Sequence, residues 1–347
     1  MNFSDDAISS HLDQLTKPPG SLGRLENLAA DLCRIQDTLA PQTRPRRAVL
    51  FAGDHGVVAS GVSAWPSEVT GLMVANIAGG GAASSALAAA GGTELRLVDV
   101  GCMGPKVPEN DVLRVRRVAD GTRDLAKEAA MTPAEFDAAF AIGRDEALAA
   151  ASDGMALVMT GEMGIGNTTP ATALARLILG ESAPAGPGAG ADAEMVRHKS
   201  ELIDAAVARV RSDAGLAGGA GLDGLEREAK CAAIAALSGF EIAAMAGFFT
   251  GAAEKNLAVL VDGLIATAAA LVADELAPGA ARTMIAAHRS MEPAHAAMLE
   301  ALGLTPYLDW NLRLGEGTGA LLLAPLCDAA AAMCRDMATF ADLGIGE

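Results

Sequence analysis

A single carboxylate lies inside a glycine-rich loop near the middle of the chain. The segment Gly161-Glu-Met-Gly-Ile-Gly-Asn-Thr-Thr-Pro170 follows a short apolar run and leads into a helical pattern. Asn167 and the two threonines offer N-cap oxygens, and the proline fits the first helical turn. A strand, loop and helix in this order point backbone N–H groups and the helix dipole at one spot. The segment therefore predicts a phosphate site with Glu162 beside it.

Two interpretations of Glu162 are open at this point. An acid beside an anion site is costly unless a positive or proton-bearing group approaches it, which favours a working carboxylate. Equally, the glycines could form only a tight turn, and Glu162 could be solvated. The segment alone does not choose between them.

A second carboxylate, Glu316, stands between Gly315 and Gly317, just before an apolar helix. Glycine neighbours allow close approach to a ligand, and desolvation would raise the pKa of the carboxyl toward that of a useful base. Alternatively, Glu316 only complements the dipole at the helix N-terminus.

Two further features could contribute to an anion site. The segment Gly186-Pro-Gly-Ala-Gly190, within the Gly/Ala/Pro-rich residues 180–192, is either a linker or a second glycine loop over a ligand. Lys199 follows at the start of an amphipathic helix, where its ammonium could meet a phosphate. A solvated lysine is the more common outcome at such a position.

Asp54 and His55 come directly after an apolar run, at what would be the carboxyl edge of a parallel sheet. They could serve acid–base chemistry or bind a metal, but no second cluster with ligand spacing accompanies them, so a structural role is favoured. Trp65, one of only two tryptophans, either walls a pocket for a flat ligand or simply packs.

Composition excludes several classes of function. The 347 residues carry a net charge of −17 and only 3% aromatic residues, which disfavours nucleic acid, anionic lipid and base-stacking platforms. We expect no membrane span and no secretion signal. Five scattered cysteines without metal or disulfide spacing favour reduced thiols in a cytoplasm.

Apolar runs alternate with helical patterns along most of the chain. This alternation predicts βαβ units and a mostly parallel sheet, hence an α/β fold. Both chain ends look helical. We expect strands at 47–52, 94–101, 156–160, 257–263 and 282–287, and a short edge strand within 111–118.

Five motifs together resemble the nicotinate-nucleotide:dimethylbenzimidazole phosphoribosyltransferase family, which makes α-ribazole phosphate for the lower ligand of cobalamin. Each motif alone is weak, but the five occur in the family's order and span nearly the whole chain. They are Lys17-Pro-Pro-Gly-Ser-Leu-Gly-Arg-Leu-Glu26, Ala52-Gly-Asp-His-Gly-Val-Val58, Gly161-Glu-Met-Gly-Ile-Gly-Asn-Thr-Thr-Pro170, Gly239-Phe-Glu-Ile-Ala-Ala-Met245 and Arg313-Leu-Gly-Glu-Gly-Thr-Gly-Ala320.

The resemblance implies transfer of phosphoribose from nicotinate mononucleotide to a benzimidazole nitrogen, with inversion at the anomeric carbon and without metal or cofactor. Glu316 matches the family's catalytic base, and Glu162 matches a second active-site carboxylate that would stabilise charge on the ribose or hold its hydroxyls. The resemblance also places the phosphate on Gly164, Asn167, Thr168, Gly188 and Lys199, and the base pocket at Trp65, Met73 and Leu314.

The family's fold implies a six-stranded, mainly parallel, Rossmann-like sheet in a large domain, residues 46–294. A small helical domain would combine residues 1–45 and 295–347. The resemblance further implies a homodimer with active sites near the interface, which would give the Lys17–Glu26 loop a role.

Several alternatives stay open. The same chemistry could use another lower-ligand base, such as adenine or a phenol. A dinucleotide-dependent oxidoreductase shares the fold class, but the Gly164–Thr169 loop lacks a third glycine, and Glu162 would repel a pyrophosphate. A non-catalytic nucleotide-binding protein is the third alternative, and the presence of both Glu162 and Glu316 speaks against it.

Overall fold

The apolar runs form one parallel sheet. The structure is a computed structural model that describes residues 3–180, 183–188, 190–216 and 221–344. In these residues six strands pair in the order β3-β2-β1-β4-β5-β6, and every pairing is parallel. The predicted six-stranded α/β class is confirmed. The strands are β1 (Arg46–Gly53), β2 (Glu94–Gly101), β3 (Leu113–Val115), β4 (Leu157–Met163), β5 (Ala258–Val261) and β6 (Met284–Ala286).

Helices cover both faces of the sheet. Residues of β1 alternate between two apolar clusters, with Val49 and Phe51 in one cluster and Ala48 and Leu50 in the other. Both faces are buried, as expected of a parallel sheet. The helices are α1 (Asp5–Gln14), α2 (Arg24–Gln36), α3 (Glu68–Ala78), α4 (Ala83–Gly91), α5 (Pro133–Ser152), α6 (Thr168–Leu179), α7 (Ala193–Asp213), α8 (Arg227–Leu237), α9 (Phe240–Glu254), α10 (Leu264–Leu276), α11 (Ala294–Ala301) and α12 (Thr318–Asp336).

The strand order reverses direction at the centre of the sheet. From β1 the chain first builds outward through β2 and β3, and it then returns to β4 and continues through β5 and β6 on the other side. In open sheets of this kind the helices diverge at the reversal point and leave a crevice at the carboxyl ends of the strands. The Glu162 loop, which follows β4, and Asp54 and His55, which follow β1, therefore meet at this crevice.

Both chain ends contribute helices to one face of the sheet. The helices α2 and α12 pack together, with the Sγ atoms of Cys33 and Cys334 3.8 Å apart, and both helices belong to the apolar cluster that includes Leu50. The division into a small and a large domain at the predicted boundaries remains a prediction. The predicted edge and final strands are shorter than expected, at Leu113–Val115 and Met284–Ala286.

Two segments have the length and apolar composition of a membrane span, Glu68–Gly91 and Thr318–Asp336, so the expectation that none exists is wrong on those criteria. The first segment is interrupted between α3 and α4. In the second, 61% of the apolar window is buried inside the protein, which is the usual state of a core helix.

Candidate active site

A cleft of about 910 Å³, counting the open space at its mouth, lies at the carboxyl ends of β4 and β5. Six of the predicted site residues line it: Glu162, Gly164, Asn167, Thr168, Gly188 and Leu314. The other four, Trp65, Met73, Lys199 and Glu316, do not. Polar residues that the sequence did not place in the site also line the cleft, namely Asp262, His288, Ser290, Glu292 and Arg313.

Helix α6 begins at the cleft, but not in the way that the sequence suggested. Asn167 occupies the N-cap position and makes no side-chain cap hydrogen bond. Its amide Nδ2 instead donates to Glu162 Oε2. The prediction that Asn167 caps the helix is therefore wrong, because the neighbouring carboxylate is the stronger acceptor. The N-terminus of α6 carries no side-chain cap from Asn167 at the cleft wall.

Lys199 lies just behind this helix start. The side chain is buried, and Nζ donates to Thr168 Oγ1 at 2.6 Å and to the carbonyl of Gly186 at 3.0 Å. Burial lowers the pKa of Lys199 to about 8, and the nearby Glu292 opposes that change. The interpretation of Lys199 as an ordinary solvated lysine is wrong. We refer to Thr168, Gly188 and Lys199 as the Lys199 end of the cleft.

The glycine segment before α7 closes over the Lys199 end. The N–H of Gly188 donates to Glu292 Oε1 at 2.9 Å. A Cβ at Gly186 would clash with Glu292 Oε2, and one at Gly188 would lie 2.9 Å from Thr168 Oγ1. These close approaches require glycine, so the described part of the segment is a packed loop and not a linker. Glu181, Ser182 and Ala189 lie outside the described residues.

Glu292 is the main residue that sequence reasoning missed here. It is buried, and burial raises the pKa of its carboxyl although Lys199 opposes that rise. The signal was present in the segment His288-Arg-Ser-Met-Glu292, which directly follows the last strand at the carboxyl edge of the sheet. A polar segment at that position is as good a candidate as the Glu162 loop.

Glu162 is buried at the floor of the cleft, so the interpretation of a solvated side chain is wrong. Its pKa is raised to about 8, first by burial and then by the charges of Glu241, Asp262 and Glu316, while Asn167 opposes the rise. We refer to Glu162, Glu241, Asp262 and Glu316 as the acidic cluster. Glu162 is mostly protonated at neutral pH in the empty protein.

Glu316 lies one residue behind the cleft wall that Gly315 forms. Its backbone has a φ of 57°, and Oε2 accepts hydrogen bonds from Ser84 Oγ at 3.0 Å and from Ser84 N at 3.4 Å, near the start of α4. A Cβ at Gly161 would clash with the N atom of Gly317, so the Glu316 loop rests directly on strand β4. This packing fixes Glu316 close to the crevice.

Asp262 anchors the same loop from the other side. Its carboxylate accepts from the N–H groups of Gly317 at 3.1 Å and of Gly319 at 2.7 Å, and thereby caps α12. His288 Nε2 lies 3.6 Å from the same carboxylate, and its pKa is raised by Asp262 despite burial, which would lower it. The position of Glu316 thus depends on Asp262.

Asp54 and His55 lie beneath the cleft and do not line it. His55 Nε2 lies 2.8 Å from Glu241 Oε1, and both side chains are fully buried. Asp54 Oδ2 accepts from the N–H of Met103 at 2.8 Å. Within the residues that the structure describes, no group of three or more His, Cys, Asp or Glu side chains is arranged to hold a metal ion.

The three predicted base-pocket residues are not gathered around one cavity. Leu314 lines the cleft and is 60% exposed. Trp65 is 52% exposed, so it does not simply pack, and it directly follows the lining residues 62–64. Met73 is half-buried on α3, packed against the apolar cluster that contains Leu50. A base pocket at these three residues stays a prediction.

Comparisons with known proteins identify the class of protein. A family model described as phosphoribosyltransferase matches residues 3–345. The nicotinate-nucleotide–dimethylbenzimidazole phosphoribosyltransferase of Nitratidesulfovibrio vulgaris (strain DP4) is 45% identical, over 98% of this chain and 93% of its own. The enzyme of that name from Pseudomonas putida (strain GB-1) is 44% identical, over 100% of this chain and 95% of its own.

A solved structure agrees with these matches. The crystal structure of CobT from Thermus thermophilus superposes with a TM-score of 0.90 at 41% identity, and the match covers 99% of each chain. The chain therefore belongs to the nicotinate-nucleotide–dimethylbenzimidazole phosphoribosyltransferase family. These names favour the transferase over both the oxidoreductase and the non-catalytic nucleotide-binding protein.

Proposed function

We propose that the protein transfers phosphoribose from nicotinate mononucleotide to 5,6-dimethylbenzimidazole. The products are nicotinate and α-ribazole 5′-phosphate, for the nucleotide loop of cobalamin. One observation carries this proposal beyond the family names: a single cleft has a buried ammonium at one end and buried carboxylates at its floor. The substrate has the matching polarity, with an anionic phosphate at one end and a cationic pyridinium on the ribose at the other.

The phosphate binds at the Lys199 end. Thr168 and Lys199 lie beside the start of α6, where the helix dipole favours an anion. Asn167 does not contact the phosphate through a free amide, because Nδ2 already donates to Glu162. Likewise, the Gly188 N–H is bonded to Glu292, so Gly188 acts by allowing close approach and not as a free donor.

Glu162 stabilises the positive charge that develops on the ribose. As the bond between C1′ and the nicotinate nitrogen breaks, its electron pair stays with that nitrogen, and the positive charge moves to C1′ and the ring oxygen. A carboxylate in a buried site stabilises such charge strongly, because little water screens it. Glu162 must ionise for this role, and the approach of the cationic substrate favours the ionised form.

Glu316 is the general base. One benzimidazole nitrogen attacks C1′ from the face opposite nicotinate, which inverts the anomeric carbon from β to α, and the proton of the other nitrogen passes to Glu316. Ser84 holds the carboxylate by two hydrogen bonds in the empty protein. The base would enter past Leu314, with Trp65 and Met73 on the same side. Catalytic hydrogen bonds often form only in the substrate complex.

A homodimer in the cytoplasm is part of this proposal. The Lys17–Glu26 loop supports it, because Glu26 pairs with Lys17 at 2.9 Å and accepts from the N–H of Leu22 at 2.9 Å. This bonding gives a rigid loop with Leu22 exposed on it. A rigid loop that presents an apolar side chain fits contact with a second copy.

The test is turnover by the purified protein. Nicotinate release from nicotinate mononucleotide is followed by chromatography, with and without 5,6-dimethylbenzimidazole. We expect nicotinate and α-ribazole 5′-phosphate in equal amounts, and only when the base is present. Binding of the nucleotide without product would overturn the choice of base, and adenine and phenols would then be assayed in the same way.

A further inference from the structure

A buried ion pair beneath the cleft has no role in the chemistry described so far. His55 and Glu241 lie at the end of β1 and in the first turn of α9, and neither lines the cleft. His55 is 1% exposed and Glu241 is 0% exposed, and the atoms His55 Nε2 and Glu241 Oε1 are 2.8 Å apart. Burying a charged pair so completely is costly and is seldom favourable for stability alone.

The pair also leaves polar atoms without partners. Among the described residues, neither His55 Nδ1 nor Glu241 Oε2 has a hydrogen-bond partner. An unpaired buried carboxylate oxygen costs a substantial part of its desolvation free energy. A pair that served only to hold the fold would be expected to satisfy both atoms, so these two atoms point to a functional reason for the pair.

The pair touches the floor of the cleft at Gly164. A Cβ at Gly164 would lie 3.2 Å from His55 Nε2 and 3.5 Å from Asn167 Nδ2. Asn167 Nδ2 is the donor to Glu162 Oε2. Because residue 164 has no side chain, nothing but backbone separates the imidazole from the amide that holds Glu162.

The charges around Glu162 do not cancel. Three other carboxylates face it: Glu241 from α9, Asp262 from the end of β5 and Glu316 from the loop before α12. Of these three, Glu241 contributes most to raising the pKa of Glu162, after burial itself. Two imidazoles accompany them, with His55 beside Glu241 and His288 beside Asp262.

The remaining neighbours add little free charge. Asp54, at the end of β1, faces His55 and Glu241. Asp99 on β2 is paired with Arg117 at 2.8 Å, while α3 and α4 contribute only the hydroxyl groups of Thr70 and Ser84. Burial alone would lower the pKa of His55, but Glu241 and then Asp54 raise it above its usual value. His55 therefore stays protonated at neutral pH.

We propose that His55 and Glu241 are positioning residues for the reaction: as an imidazolium–carboxylate pair they keep the site beneath Gly164 neutral, so that Glu162 can become an anion when the ribosyl cation forms. Without the imidazolium, Glu241 would be an unpaired negative charge next to Glu162 and would hold Glu162 in its protonated, inactive form. This inference rests on the proposed function.

The experiment compares three variants with the wild-type enzyme: His55→Gln, Glu241→Gln and the double variant. Glutamine at 55 keeps an amide donor near the position of Nε2 and removes the positive charge. The readout is kcat against pH from 5.5 to 9.5, with nicotinate mononucleotide and 5,6-dimethylbenzimidazole both saturating. The acid limb of this profile reports the ionisation of Glu162 in the substrate complex.

His55→Gln should move the acid limb to higher pH by about one unit, so that kcat falls about tenfold at pH 6.5 and recovers at pH 9. Glu241→Gln should move the limb in the opposite direction. The double variant should return close to the wild-type profile, because both charges are gone. Glu300→Gln, an exposed carboxylate on α11, is the matched control and should leave the profile unchanged.

An acid limb that stays in place in Glu241→Gln overturns the proposal, and this variant decides the matter even if His55→Gln does not fold. A loss of kcat that is equal at all pH values in both single variants also overturns it, since that is the result of a purely structural role. Absence of turnover in the wild-type enzyme would instead refute the proposed function, so the two failures are distinguishable.

Discussion

The two ends of the cleft are built from opposite charges that the protein handles in the same way. At the Lys199 end, burial lowers the pKa of an ammonium to about 8, and in the acidic cluster, burial and like charges raise the pKa of Glu162 to about 8. Both shifts favour the neutral form of the group. The empty site therefore holds an ammonium and a carboxyl whose charges are both disfavoured by their surroundings.

This comparison indicates what a substrate must supply. An anion at the Lys199 end favours the ammonium, and a cation beside Glu162 favours the carboxylate. A molecule that carries a phosphate and a pyridinium on one ribose supplies both. The chain has a net charge of −17, so the local cradle at Lys199, and not the overall field, must hold the phosphate.

Glu316→Gln should have the largest effect and should affect only the acidic cluster. We expect kcat to fall by about 10³-fold, because the amide cannot take the benzimidazole proton, while the affinity for nicotinate mononucleotide stays the same. Steady-state kinetics and calorimetric titration of the nucleotide measure the two quantities separately.

Ser84→Ala provides the graded control for that variant. It removes the hydroxyl donor to Glu316 Oε2 and leaves the carboxylate in place, so kcat should fall by less than about tenfold. If Glu316→Gln retains a rate near that of the wild type, Glu316 is not the base, and orientation of the substrates must account for catalysis.

Glu162→Gln should lower kcat and yet stabilise the fold, which separates the two demands on the acidic cluster. Because the native pKa is raised, the native state binds more protons than the unfolded state between about pH 4.5 and pH 8. Wild-type stability therefore falls as pH rises through this window. The glutamine variant lacks this loss, so its advantage should grow across the window to at most about 5 kcal/mol at pH 9.

Urea unfolding at pH 5, 7 and 9 measures this advantage, with Glu300→Gln as the matched removal of an exposed carboxylate. The control should follow the wild type at all three pH values. An advantage of Glu162→Gln that is the same at pH 5 and pH 9 would mean that Glu162 is not held protonated in the empty protein.

Sequence reasoning predicted the fold better than the contacts within the site. The alternation of apolar runs and helices is set by local periodicity, so the six strands and the carboxyl-edge position of the Glu162 and Glu316 loops could be read from the chain. Glycines at 161 and 164 were visible, but what each one touches depends on packing between elements distant in the sequence.

The errors have one physical cause, which is that tertiary contacts decide what each polar group bonds. Asn167 was expected to cap α6, and its amide instead bonds Glu162, because a buried carboxylate attracts a donor more strongly than the helix end does. The pairing of His55 with Glu241 was not predicted, since the two residues are 186 positions apart and no local signal joins them. Only the folded sheet edge brings such side chains together.

Lys199→Met tests the Lys199 end alone and should have the smallest effect of the three. The variant loses one charge-assisted contact to the phosphate, which corresponds to about 2 kcal/mol, or about 30-fold in affinity for nicotinate mononucleotide. Calorimetric titration at pH 7 measures this loss. Lys255→Met, which removes an exposed ammonium, is the matched control and should bind like the wild type.

The pH dependence of binding sharpens the same contrast. Wild-type affinity should be constant near pH 7 and fall above pH 8, where the ammonium of the empty protein loses its proton. Binding near pH 8.5 should take up a proton, because the phosphate raises the pKa of Lys199, and titration in two buffers with different ionisation enthalpies measures this uptake. In Lys199→Met the affinity should be independent of pH above 8. A wild-type affinity that is flat from pH 7 to 9.5 would show that Lys199 does not contact the phosphate, and the contrast between the two ends of the cleft would then rest on the acidic cluster alone.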